Sequence, residues 1–261
     1  MPDPLSTDPP TGDGYPGSGP VPTQRQARTA RPTVHYRTMD AEDLAFVVEQ
    51  HLHHFPDGFF ARLGPRFLRE YYRGFLTGPS ARTAVAEVDG RRVGYLVGVT
   101  DPAAHRDHVV RRHGRGLALR AVAAMLLRPW LAVRFLRTRA GLYARKLLRR
   151  RGRDSTSAAS SRTVGRTAVL THVAIEPSAQ TQGIGSTLIQ DFQRRAAEAG
   201  CDRLTLVTAS GDDGAGPYYR RRGWSAVSER CTPDGLRLTT YERPVADQVA
   251  EDDPSRSEET A

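Results

Sequence analysis

Ala168-Val169-Leu170-Thr171-His172-Val173-Ala174-Ile175-Glu176-Pro177-Ser178-Ala179-Gln180-Thr181-Gln182-Gly183-Ile184-Gly185-Ser186 is the stretch that decides the fold. Its first eight residues are strongly apolar and read as a buried strand. A helix reads over 184–199, with Ile184, Leu188, Phe192 and Ala196 in one stripe and Gly200 ending it. The glycine loop from Gln180 to Gly185 joins the two. Glycines let a backbone approach a diphosphate, and free N–H groups at a helix start favour an anion there. A Gly-x-Gly alone is most often an ordinary turn, so the elements around it must decide.

Downstream, 203–208 reads as a strand, 214–222 as a short helix, and 224–230 with 236–242 as a closing strand pair. Upstream, 33–37 alternates as a first strand, and Asp40 reads as the N-cap of a helix running to His54. That helix carries Leu44, Val47, Val48 and His51 on one face. Phe55-Pro56-Asp57-Gly58 breaks the chain, and one further helix carries Phe60, Leu63, Phe67, Leu68, Tyr71 and Phe75 at helical spacing. Strands 83–88 and 92–99 follow, joined by Asp89-Gly90, a pair suited to a tight turn with positive φ at both residues.

The chain has 261 residues, enough for one domain with a large insertion. Residues 1–32 are dominated by Pro, Gly, Ser, Thr and Asp, and 246–261 are acidic and polar; both read as disordered tails without a targeting signal. Only Cys201 and Cys231 occur, which excludes a disulfide framework and a Cys-rich metal site and makes the reducing cytoplasm the expected location. No apolar run approaches the roughly 18 residues of a membrane span. The net charge of +9 is concentrated: residues 105–153 hold fifteen Arg or Lys against Asp107 alone. The remainder between the tails is near neutral, which argues against a general nucleic-acid surface and singles out one special segment.

Two motifs together carry a resemblance. The strand and loop from Val173 to Ser186 resemble the Gln/Arg-x-x-Gly-x-Gly/Ala signature of the GNAT family of N-acetyltransferases. About thirty residues on, Asp212-x-x-Ala215-x-x-x-Tyr219-x-x-x-Gly223-Trp224 resembles that family's Asn-x-x-Ala-x-x-x-Tyr-x-x-x-Gly-Phe, with Asp for Asn and Trp for Phe. The resemblance spans 33–245 apart from the insertion and is strongest over 168–243. It implies an α/β (α+β) GNAT fold: a bent, mixed, mainly antiparallel sheet flanked by helices, with a basic helical insertion between the third and fourth strands. Residues 105–161 are that insertion and its linker.

The resemblance further implies acetyl transfer from acetyl-coenzyme A to a primary amine by direct attack, without a metal. Main-chain groups of Val173 and Ile175 would pair with the pantetheine arm. Gln180, Gln182, Gly183, Ile184, Gly185 and Ser186 would cradle the pyrophosphate, with Asp212 and Ala215 completing the cofactor site. Tyr219 matches the tyrosine that protonates the departing thiolate, and Tyr218 is its alternative. The position where some relatives carry a glutamate base is near Val169, which is apolar. Candidate bases are His172 and Glu176, which share a strand face by alternation, and the cluster His51, His53 and His54. A water relay with no side-chain base stays open.

An amino sugar or other small amine is the expected acceptor. The alternatives are a protein lysine or N-terminus, or a non-catalytic acetyl-coenzyme A sensor. Phe55 to Phe59 are expected near substrate, with the other aromatics of 60–72 in the core. For the insertion three readings compete: a packed lid whose arginines face water, a peripheral contact with an anionic membrane at its inner face, and nucleic acid, which the scarcity of interleaved aromatics disfavours. Two helices, or three, are expected in it, with Pro129 starting or kinking one. A homodimer is also left open.

Overall fold

The computed structural model describes residues 33–137, 165–211, 214–233 and 235–245. The expected tails, the linker over 154–161 and the candidate residue Asp212 lie outside the described residues. Strand β1 (Val34–Arg37) leads into helix α1 (Leu44–His54), the short α2 (Phe59–Arg62) and α3 (Pro65–Thr77). The hairpin β2 (Ala81–Val88) and β3 (Arg91–Val99) follows, then α4 (Pro102–Leu127) and α5 (Pro129–Phe135). Strand β4 (Thr167–Ile175), a 3₁₀ turn (Pro177–Ala179) and α6 (Ile184–Glu198) carry the deciding stretch. Strand β5 (Arg203–Ala209), α7 (Gly216–Arg220), β6 (Ser225–Cys231) and β7 (Arg237–Pro244) complete the order.

The seven strands form one sheet in the order β1-β2-β3-β4-β5-β7-β6. Every pairing is antiparallel except β4 with β5. The fold class read from the sequence is therefore the one observed. The Asp89-Gly90 turn has positive φ at both residues (50° and 78°), as its hairpin requires.

The sheet is covered on both faces. On one, Ile184, Leu188, Phe192 and Ala196 of α6 pack against Leu96, Ala168, Leu170, Leu204 and Leu206. At Gly98 an added Cβ would sit 2.5 Å from the Phe192 ring, so this glycine lets α6 approach β3. On the other face, Leu44, Val47, Leu68, Tyr72 and Phe75 of α1 and α3 pack against Val85, Tyr95 and Val97.

A bulge in β4 decides which face each of its side chains meets. Val97 pairs with His172 but Gly98 pairs with Leu170, leaving Thr171 as the extra residue. Strict alternation would put Ala168, Leu170, His172 and Ala174 on one side. Instead Ala168 and Leu170 belong to the α6 core, while Ala174 belongs to the α1/α3 core. His172 goes with Ala174.

Three local readings are corrected. Asp40 does not cap α1; its carboxylate accepts from the Glu42 and Asp43 backbone N–H groups in the turn before a helix that starts at Leu44. The single helix read through Phe60 and Phe75 is two, because Gly64 takes φ 89° and Pro65 restarts the helix at its first position. The insertion begins before His105: Asp101 caps α4 by accepting from the Ala103 and Ala104 N–H groups, with Pro102 next. Pro129 does start a helix, as expected.

Beneath β1 lies a buried charge hub. Asp43 is fully buried, and its carboxylate accepts from Arg37 (2.7 and 2.7 Å), Arg92 (2.6 Å) and the Asp40 N–H (2.8 Å). Burial alone would raise its pKa, but the Arg37, Asp40 and Arg92 hydrogen bonds hold it down at about 2.

Candidate active site

Strands β4 and β5 pair only from Thr167 with Arg203 to Leu170 with Leu206. Beyond that point β4 continues along β3, and β5 continues along β7. The two parallel strands separate, so among the described residues the β4 backbone over 171–175 has no strand partner on its β5 side. The glycine loop stands at the far end of this open segment. Gln180 donates its side-chain amide to the Ile175 carbonyl (3.2 Å), and Gln182 reaches the Ser178 carbonyl (3.4 Å). Gly183 holds φ 79° as the α6 N-cap, and nothing lies within 4 Å of where its Cβ would be. That open, positively poised helix start is the geometry a diphosphate needs. The Ile184 side chain is core, so its backbone alone faces the loop.

The two tyrosines of the second motif divide. Tyr218 places its hydroxyl 3.2 Å from the Ser186 Oγ, and the Arg222 guanidinium lies 4.0 Å over its ring. Arg222 also donates to the Ser186 Oγ at 2.7 Å. Tyr219 is buried between Trp224, Tyr218 and Tyr241, and its hydroxyl has no hydrogen-bond partner among the described residues. Burial pushes this phenol above its usual pKa, so it stays protonated at neutral pH. Ala215 caps α7 and accepts the Tyr219 N–H through its carbonyl.

Next to Ser186, a cavity of about 290 Å³ is lined by Arg221, Arg222, Arg243 and Gln193. Gln193 is 3% exposed, and neither end of its side-chain amide is hydrogen-bonded. Three guanidinium groups and an unsatisfied amide suit a phosphorylated, hydrogen-bonding group. This cavity is not anticipated from the sequence: the adjacent Arg221 and Arg222 are the one hint there, and Gln193 and Arg243 carry none.

On the opposite face of β4, His172 meets His51, with ring centroids 4.9 Å apart. The Tyr71 hydroxyl lies 3.3 Å from the His172 Nε2. His51 Nδ1 lies 2.7 Å from the Tyr72 hydroxyl, which bonds Tyr95 at 2.9 Å. Phe55 closes the group, 5.2 Å from the His51 ring and 5.4 Å from that of His172. Thus Phe55 adjoins the histidines, and Tyr71 joins it. Burial pushes the imidazoles down to about 4 for His51 and about 3 for His172, the latter also disfavoured by His51. Both are neutral at pH 7.

The remaining candidates lie apart from this pair. His53 and His54 meet edge to face at the end of α1. Glu176 sits four strand steps from His172, about 13 Å at ~3.3 Å per residue, and is ion-paired to Arg91 at 3.1 Å. The alternation that grouped Glu176 with His172 does not bring them together. Among the described residues no group of His, Cys, Asp and Glu could hold a metal ion, and no helix is long and apolar enough to cross a membrane.

The neutral histidines carry a pH dependence. Each binds a proton below pH ~6.5 when unfolded but resists it when folded until pH 3–4. The unfolded state then holds more protons, so stability is full above pH ~6.5 and falls as pH drops toward those values. Urea unfolding at pH 5 should show about 2–4 kcal/mol less stability than at pH 7.5. The double variant His51→Gln/His172→Gln should flatten that slope.

A family model and several known proteins are similar to this chain. The family model described as an acetyltransferase (GNAT) domain matches residues 153–244, the stretch that contains β4 to β7. A curated protein of Bacillus subtilis (strain 168), described as uncharacterized protein YdhI, is 25% identical over 79 residues, 30% of this chain. The match spans 48% of that relative, about half its length. Among solved structures, the ribosomal-protein-S18-alanine N-acetyltransferase of Escherichia coli aligns with 82% of this chain and 94% of its own, at 12% identity and TM-score 0.47. Ard1 of Thermoplasma volcanium aligns with 81% and 97%, at 14% identity and TM-score 0.48.

Proposed function

We propose that the chain is an acyltransferase of the GNAT family, whose acetyltransferase-domain model matches residues 153–244, and that it transfers acetyl from acetyl-coenzyme A to a small primary amine by direct attack. One observation carries this reading. The segment of β4 that opens away from β5 has the glycine loop at one end and the neutral His51–His172 pair on its α1/α3 face.

In this reading the open β4 backbone at Val173 and Ile175 receives the pantetheine arm as an added strand. Backbone groups of Gly183, Ile184 and Gly185 take the pyrophosphate, with the side chains of Gln180, Gln182 and Ser186 around it. The arginine-lined cavity beside Ser186 takes the phosphorylated adenosine end. The acceptor amine enters from the side of Phe55 and Tyr71. Its nitrogen attacks the thioester carbon, a C–N bond forms and the C–S bond breaks. His172 takes the proton that nitrogen sheds, and Tyr219 donates one to the departing sulfur. A buried imidazole is a weak base toward a free ammonium ion. It is adequate once attack has begun, because the nitrogen then becomes far more acidic.

The test is thiol release from acetyl-coenzyme A over a panel of small amines that includes amino sugars. Acetylation of peptide N-termini or lysines with none of the small amines would move the acceptor to protein. Bound coenzyme A with no turnover on any amine would make the chain a sensor. Tyr219→Phe should lower kcat about 10²-fold, within the range for a lost general acid. Tyr218→Phe should act mainly on the KM for acetyl-coenzyme A, because its hydroxyl is held by Ser186.

A further inference from the structure

Helix α4 has low amphipathicity around its axis because its polarity changes along its length. Its inner face packs on α3 throughout. Val109 meets Gly74, His113 Nδ1 lies 2.9 Å from the Glu70 carboxylate, and Leu117, Ala121, Ala124 and Met125 join Leu63 and Phe67. The outer face has two halves. From 106 to 115 the exposed side chains are mostly charged: Arg106, Asp107, Arg111, Arg112 and Arg115, with Val110 among them. From 118 to 127 they are apolar, Ala118, Leu119, Val122, Ala123, Leu126 and Leu127, beside a part-exposed Arg120 that is paired with Glu70.

Leu119, Leu126 and Leu127 are 71%, 78% and 81% exposed. The apolar surface continues onto α5 at Trp130 and Val133 and, among the described residues, reaches Leu136, each more than half exposed. Arg128 and Arg137 lie along it in sequence. Beneath it runs a groove of about 650 Å³, with Leu63, Leu119, Ala123 and Leu127 in its walls and Arg66 and Arg128 at its edge.

We propose that this tip of α4 with α5 docks on an anionic lipid bilayer, its leucines and Trp130 in the headgroup zone and its arginines on lipid phosphates. Three features favour that occupant. Isolated exposed leucines are ordinary on a soluble surface, but a continuous set this large marks an interaction site. The charge beside it is cationic, Asp107 being the one acid in 105–153, so a second copy laid symmetrically on the same face would oppose like charges. Trp130 stands at a helix start within this exposed apolar surface, close in sequence to Arg128, and a tryptophan is favoured at a membrane interface. The docked element is also tied to α2: Arg128 donates to the Arg62 carbonyl at 3.0 Å, and Phe135 stacks on Phe59.

The test is co-sedimentation of the full chain with phosphatidylglycerol vesicles and with phosphatidylcholine vesicles. At ~1 kcal/mol per arginine near an anionic surface, Arg66, Arg128 and Arg137 together favour phosphatidylglycerol by on the order of 100-fold at low salt. The preference should shrink as salt rises. Brominated acyl chains should quench the fluorescence of Trp130, while Trp224, 3% exposed, stays dark to them. Trp130→Phe should abolish that quenching. Leu126→Glu/Leu127→Glu should release the protein from vesicles with an unchanged urea midpoint, since both side chains are exposed. No binding to phosphatidylglycerol at low salt overturns the proposal, as does full binding by the double glutamate variant. Self-association in solution that this variant abolishes also overturns it, in favour of a second copy. None of these outcomes depends on turnover, so the docking and the proposed reaction fail separately.

Discussion

His172→Ala is expected to lower kcat/KM for acetyl transfer by about 10²–10⁴-fold, the range for a lost general base. The KM for acetyl-coenzyme A should hold, because His172 lies on the α1/α3 face of β4, across the sheet from α6 and Ser186. His51→Ala should have a smaller effect of the same kind, since it removes a neighbour that keeps His172 neutral and oriented. The pH profile offers a second check. With both imidazoles neutral from well below pH 6 upward, activity should rise with the ionisation of the acceptor amine and show no step near pH 6.5. An unchanged rate in His172→Ala would pass proton acceptance to water. A step near pH 6.5 that survives the substitution would place the base elsewhere.

Asp43→Ala should cost about 3–4 kcal/mol of stability, near the lower end for removing one partner of a buried ion pair. The carboxylate is fully buried and neutralises Arg37 and Arg92, which are 25% and 36% exposed and can partly rehydrate; Arg37 also keeps Glu87 at 2.8 Å. That rehydration sets the effect below the top of the range. At about 2–4 °C per kcal/mol for a domain this size, the melting temperature should fall by roughly 6–16 °C. The pH signature runs with the sign of a depressed carboxylate. Asp43 stabilises fully above its unfolded pKa near 4, and its contribution is lost as pH falls toward about 2. Unfolding of the variant should therefore lack that part of the acid transition. A melting temperature within experimental scatter of the parent would mean the two arginines are satisfied by water and Glu87.

The glycine loop and its flanking elements were legible because each rests on local chemistry. The apolar run 168–175 has no charge to break a buried strand, and Gly183 takes a positive φ where another residue would be strained. The Asp89-Gly90 turn follows from the same rule. Local rules also explain two misreadings: Asp40 is a turn former that can cap or precede a cap, and Gly64-Pro65 was overlooked inside a helical apolar period. Breaks of that kind override periodicity because proline cannot give its N–H to the preceding turn.

The histidine pair is a different case. By alternation alone, His172 would share the face of Leu170, under α6. The extra residue at Thr171 turns it to the face of α1, where His51 waits from 121 positions earlier in the chain. No local pattern announces a bulge among apolar residues, because it is the β3–β4 register that creates it. The same limit hid Gln193 and Arg243, which meet only when α6 and β7 are brought together.

The basic insertion divides in the same way. Its charge, its helices and Pro129 could be read in order along the chain. Which of its leucines pack and which face outward depended on the side of α4 that meets α3. Thus strand, loop, helix and charge placement are properties of the sequence by itself, set by backbone strain, hydrophobic period and composition. The company that His172 keeps and the apolar tip of α4 belong to the tertiary structure, since sheet register and helix docking join residues that no local rule relates.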